Sequence, residues 1–153
     1  MYDYLYFWDT YRVNLQDGDK AWEQKDMKLL DEVLGSLPET FLDKLRAKVF
    51  RRYEYDWDEN WNSTDTFGKY YPSVNRERGG ELMMFDNAYY EEFYGDESGD
   101  TSFKAVLVHE MMHSLQESVG SGTVTNAYTN PVVKNYYASN CWQWDAQKLS
   151  WKR

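Results

Sequence analysis

In a chain of 153 residues, 17 basic and 26 acidic side chains give a formal charge of -9, which argues against nucleic acid or an anionic membrane as the main partner, since either needs a concentrated positive face. Its single cysteine, Cys141, excludes an internal disulfide, and no apolar run reaches the length of a membrane span. The length suits one domain with a real core, and the 18% aromatic share, 14 of the residues Tyr, suits half-buried surfaces and grooves.

The first segment, MYDYLYFWDTYRV, carries Asp3 and Asp9 and lacks a basic leader and a small-residue cleavage site, so it does not read as a signal peptide. The compartment stays unknown from the sequence, the cytoplasm and export as an effector both being open. Asp17-Gly18-Asp19 marks a turn. Residues 22–35 carry Trp22, Met27, Leu29, Leu30, Val33 and Leu34 at helical spacing, and Gly35 is the expected stop. A second helix is predicted from the Pro38 turn to about Phe50, with Phe41, Leu42, Leu45 and Val49 on one stripe. The basic residues Lys44, Arg46, Lys48, Arg51 and Arg52 fall where that helix should end, the pole that suits cations. Alternating aromatic and charged residues over 51–57 predict a half-buried strand. Lys69-Tyr70-Tyr71 predicts a short strand, and the apolar run Glu81–Phe85 another.

Asp100-Thr101-Ser102 offers N-cap candidates for the next helix, of about 17 residues by its pattern. Val108, Met112, Leu115 and Val119 form its apolar stripe, and Gly120-Ser121-Gly122 ends it. A last helix is predicted within 132–151, best defined over 139–151. Strands among helices in this order predict an α+β fold, a small mixed sheet with helices packed on it. One domain is expected over 1–153, with 1–21 as an N-terminal extension and 120–153 as a C-terminal subdomain.

Both histidines of the chain fall in VLVHEMMHSLQ, residues 106–116. At i and i+4 on a helix, His109 and His113 lie one turn apart on nearly the same face. Two imidazoles so placed can converge on one ion, and zinc accepts neutral imidazole while keeping a position open for water. Glu110 is rotated by about 100° from His109. It stands beside such an ion, where it can take a proton from water and pass it to a leaving amine. The plainer alternative is an amphipathic helix carrying two histidines.

These residues resemble the active-site helix of the zincin superfamily of zinc metallopeptidases, in which a helix with His-Glu-x-x-His follows a small sheet whose edge strand holds extended substrate. The resemblance implies zinc on His109 and His113, Glu110 as general base, a zincin-like α+β fold, and a peptide or protein substrate. It also implies that Glu81–Phe85 is the substrate-binding edge strand.

The third ligand separates the branches. The metzincin extension is absent, since Gln116 and Val119 stand where it has Gly and His. Without a third histidine the ligand should be a carboxylate, and beyond His113 the chain holds only Glu117 and Asp145. Glu117 lies on the same helix, its Cα about 12 Å from that of His109. Asp145 resembles the carboxylate that a later helix supplies in the gluzincin branch, with Asp for Glu, and is the expected ligand. Gly122–Tyr128 is similar to an aspzincin segment, but Thr125 stands where that branch has its ligand Asp. The element order also resembles the lethal-factor-like toxin peptidases, which would suit an exported effector. Zincins often use a Tyr beside the attacked carbonyl, a role for which Tyr137 is the expected residue, with Tyr136 and Tyr128 as alternatives. The competing class is a non-catalytic, aromatic-rich binding module with a degenerate motif.

Overall fold

A computed structural model describes residues 1–55, 66–72, 79–90 and 99–117, and the backbone of 118, 143–145 and 150–152. Four helices and a small mixed sheet make an α+β architecture. Helix α1 (Tyr4–Tyr11) starts at Asp3, whose side chain accepts from the Tyr6 N–H, and ends at Arg12 in the left-handed conformation. Strand β1 (Asn14–Asp17), helices α2 (Gln24–Ser36) and α3 (Glu39–Leu45) and strand β2 (Val49–Tyr53) follow. Strands β3 (Gly68–Tyr70) and β4 (Glu81–Phe85), a 3-10 helix (Asp86–Tyr90) and helix α4 (Gly99–Ser118) complete the main body. Residues 1–21, expected as an extension, thus contribute a helix and a strand to it, with Phe7, Val13 and Leu15 in the core.

The sheet order is β1-β2-β4-β3, with β1, β2 and β4 parallel and β3 antiparallel to β4. All five residues of β4 are buried, Leu82–Phe85 as the continuous apolar run of a strand covered on both faces and Glu81 paired with Arg51 at 2.9 Å. Glu81–Phe85 is therefore an interior strand, which corrects the expectation that it is the edge. Beside it the edge is β3, one residue earlier than the predicted Lys69–Tyr71.

The apolar stripe of α2 is as predicted: Met27, Leu29, Leu30, Val33 and Leu34 are all buried. The helix runs through Gly35 to Ser36 and stops at Leu37, where the following Pro38 disfavours helical geometry. Three phenols of the first segment, Tyr2, Tyr6 and Tyr11, donate to the Asp31 carboxylate at 3.0, 2.8 and 2.6 Å and tie that segment to α2. This is one structural use of the high tyrosine content.

Helix α3 ends at Leu45, not near Phe50. Ala47 turns the chain with φ 62° and its N–H donates to the Arg12 carbonyl at 2.8 Å, after which Val49 and Phe50 belong to β2. The basic cluster is thereby divided. Arg52, expected near a helix pole, is 1% exposed and reaches Asp26 of α2 at 3.0 Å and Asp86 of the 3-10 helix at 2.8 Å.

Residues 143–145 and 150–152 are strands, β5 and β6, paired antiparallel with Trp144 opposite Trp151 and Asp145 opposite Ser150. The helix predicted there is corrected for these residues. Gln-Trp-Asp and Ser-Trp-Lys alternate polar and aromatic residues, a period of two that suits strands and cross-strand aromatic pairs. No helix among the described residues is long and apolar enough to cross a membrane.

Candidate metal centre

Helix α4 starts at Gly99, so the expected capping residues Asp100, Thr101 and Ser102 occupy its first turn. Ser102 Oγ donates to the Ala88 carbonyl at 2.6 Å, and the Phe103 ring stacks on Tyr89 with centroids 4.5 Å apart. Further along, Ser114 Oγ donates to the Lys44 carbonyl at 3.2 Å. These contacts fix the helix to the 3-10 helix at one end and to α3 at the other. Val108, Met112 and Leu115 are buried as expected, but so are Phe103, Val106, Leu107 and Met111. A helix apolar on most sides is an enclosed one, and α4 packs against α2, α3, β3, β4 and the 3-10 helix. His109 and His113 lie on its more open side, while Glu110 is 7% exposed.

The ligand atoms of His109, Glu110 and His113 lie within 4.8 Å of one another, and no other group of metal-ligating side chains of this kind occurs among the described residues. The two imidazole rings meet edge to face, centroids 5.1 Å apart and planes at 81°. Burial, and next the neighbouring His113, lower the His109 pKa from 6.5 to about 4. Desolvation also lowers His113, opposed by a hydrogen bond to Gln116. Both rings are thus neutral near pH 7, the form that ligates metal. Burial raises the Glu110 carboxyl from 4.5 to about 8, close to the range in which a general base operates at neutral pH. Two neutral imidazoles one turn apart are a ligand pair that fits zinc, and the buried Glu110 carboxyl stands beside them.

Strand β3 closes over this group. A Cβ at Gly68 would stand 2.8 Å from Glu110 Cγ and 2.9 Å from Val106 Cγ1, so glycine is what lets the edge strand lie on the carboxylate. Gly68→Ala is expected to cost about 1–3 kcal/mol by overpacking, read from the urea midpoint. It should also shift Glu110, and a displacement of about 1 Å can cost on the order of 10²-fold in rate. An alanine variant with wild-type stability would show that the strand yields freely.

Tyr70, also on β3, lies nearly parallel to His113, at 12° with centroids 6.5 Å apart. Its hydroxyl donates to Glu117 Oε2 at 2.6 Å and accepts from Lys48 Nζ at 3.1 Å. Glu117, the alternative third ligand, is thus held by Tyr70, with Lys48 Nζ at 3.9 Å, and does not belong to the His109–Glu110–His113 group. The backbone of Asp145 lies in β5. Tyr128, Tyr136, Tyr137 and Thr125 lie outside the described residues.

Gly68, Tyr70 and Gln116 contribute to the centre without having been singled out as site residues by the sequence. Strand β3 is predicted, but its contact with α4 joins residues about 40 positions apart, beyond any local pattern, whereas Gln116 stands at i+3 from His113 on the predicted helix, a spacing that could have found it. No family model, curated protein or solved structure matches the chain.

Proposed function

We propose that the chain is a zinc-dependent endopeptidase of zincin type. The observation that carries this reading is the convergence of His109, Glu110 and His113 on one enclosed helix beneath an edge strand. His109 and His113 would hold zinc, with Asp145 the proposed third ligand in preference to Glu117, which is engaged elsewhere. When bound, zinc lowers the pKa of its water to about 7 and polarises a carbonyl. Glu110 takes the water proton on its carboxylate and passes it to the leaving amine nitrogen, so one group serves as base and then as acid. The substrate is a peptide or protein, and the edge-strand role that the zincin resemblance assigns passes from β4 to β3. A Tyr donor to the attacked carbonyl, Tyr137 first, stays part of the proposal.

Cleavage of an unfolded protein such as casein is expected to stop with a zinc chelator and to return when zinc is added back. Chelator-insensitive cleavage would exclude the mechanism. A chain that neither binds zinc nor cleaves would instead be the non-catalytic binding module.

A further inference from the structure

His113 is the more exposed of the two histidines, so its ring needs something to hold it. On the surface of α4, Gln116 is its neighbour one turn on, at i+3. Gln116 Oε1 lies 3.2 Å from His113 Nδ1. With the amide oxygen turned to the ring, as here, the amide can only accept, and the contact is a hydrogen bond when the proton sits on Nδ1. A neutral imidazole has one N–H, and placing it on Nδ1 leaves the Nε2 lone pair for another partner. From the strand side, Tyr70 faces the same ring, and its own hydroxyl is fixed between Lys48 and Glu117.

We infer that Gln116 is a positioning residue for the metal centre: it accepts the Nδ1–H of His113 and thereby fixes the tautomer that presents Nε2 to a metal ion. This rests on the zinc reading of the site. Partners of this kind behind a ligating histidine set its ring orientation and basicity, and losing one typically weakens metal binding about 10–100-fold.

The tautomer can be read without metal. With two histidines in the chain, long-range ¹H–¹⁵N correlation spectra of the metal-free full chain resolve both rings. The wild type is expected to show His113 protonated on Nδ1. Gln116→Leu should shift it toward Nε2–H and weaken zinc binding about 10–100-fold in competition with a chromophoric chelator, with the thermal midpoint unchanged. Gln116→Glu, which keeps an acceptor, should restore both. Wild-type tautomer and zinc affinity in Gln116→Leu would overturn the role of Gln116 while leaving the zinc reading intact. A wild-type chain that binds no zinc would overturn the zinc reading, and this inference with it.

Discussion

Glu110→Gln is expected to retain zinc and to lose peptide hydrolysis by roughly 10²–10⁴-fold, the usual contribution of a positioned acid–base group. The amide matches the carboxylate in shape, so the tight fit under Gly68 is kept, but it cannot take a proton from water. Cleavage at the wild-type rate would show that Glu110 is not the base. The same variant has a second readout in the metal-free chain. Between about pH 4.5 and 8 the folded state keeps the Glu110 proton that the unfolded state releases, so this group's contribution to stability is lost as pH rises. His109 acts oppositely: lowered from 6.5 to about 4, it contributes stability above 6.5 that is lost as pH falls toward 4. From pH 6.5 to 8 the carboxyl dominates this pair. The wild-type thermal midpoint, measured with chelator present, should fall across that interval, and Glu110→Gln should flatten it.

Arg52→Ala is expected to destabilise the fold by about 3–5 kcal/mol, the cost of removing one partner of a buried ion pair. Arg52 Nε bonds Asp26 at 3.0 Å, and its guanidinium reaches Asp86 at 2.8 Å and the Tyr53 carbonyl at 2.7 Å. Asp26, itself 1% exposed, also accepts from the Tyr89 hydroxyl at 2.5 Å and the Glu23 N–H at 2.9 Å. Without the guanidinium, Asp26 keeps the bonds from Tyr89 and Glu23 but loses the one from Arg52 Nε, and with it its charge partner in a place water does not reach. Asp86 retains Lys20 at 2.9 Å. The network joins β2, α2 and the 3-10 helix against which α4 rests, so the loss should appear in the urea midpoint of the whole domain. A loss below about 1 kcal/mol, the range of exposed pairs, would show that the cluster is solvated.

Features set by local pattern were legible in the sequence. The stripe of α2, the run of β4 and the phase of the motif helix each rest on spacing within one element, and so did the placing of His109, Glu110 and His113 together. Features set by long-range pairing were not. Nothing local shows that β3 pairs outside β4, that Gly68 rests on Glu110, or that Tyr70 engages Glu117. Arg52 looked like a helix-pole cation because its partners lie 26 and 34 positions away. At Asp145 two periods competed, and the alternation in Gln-Trp-Asp lost to an overall helical reading of 139–151.

The central claim is that His109 and His113 hold zinc. Elemental analysis after equilibration with zinc and removal of excess should find about one ion per chain in the wild type and in Glu110→Gln. His109→Ala, with its fold verified by circular dichroism, should lose it. A zinc-free wild type, or a His109→Ala variant that binds zinc as tightly as the wild type, would contradict the claim.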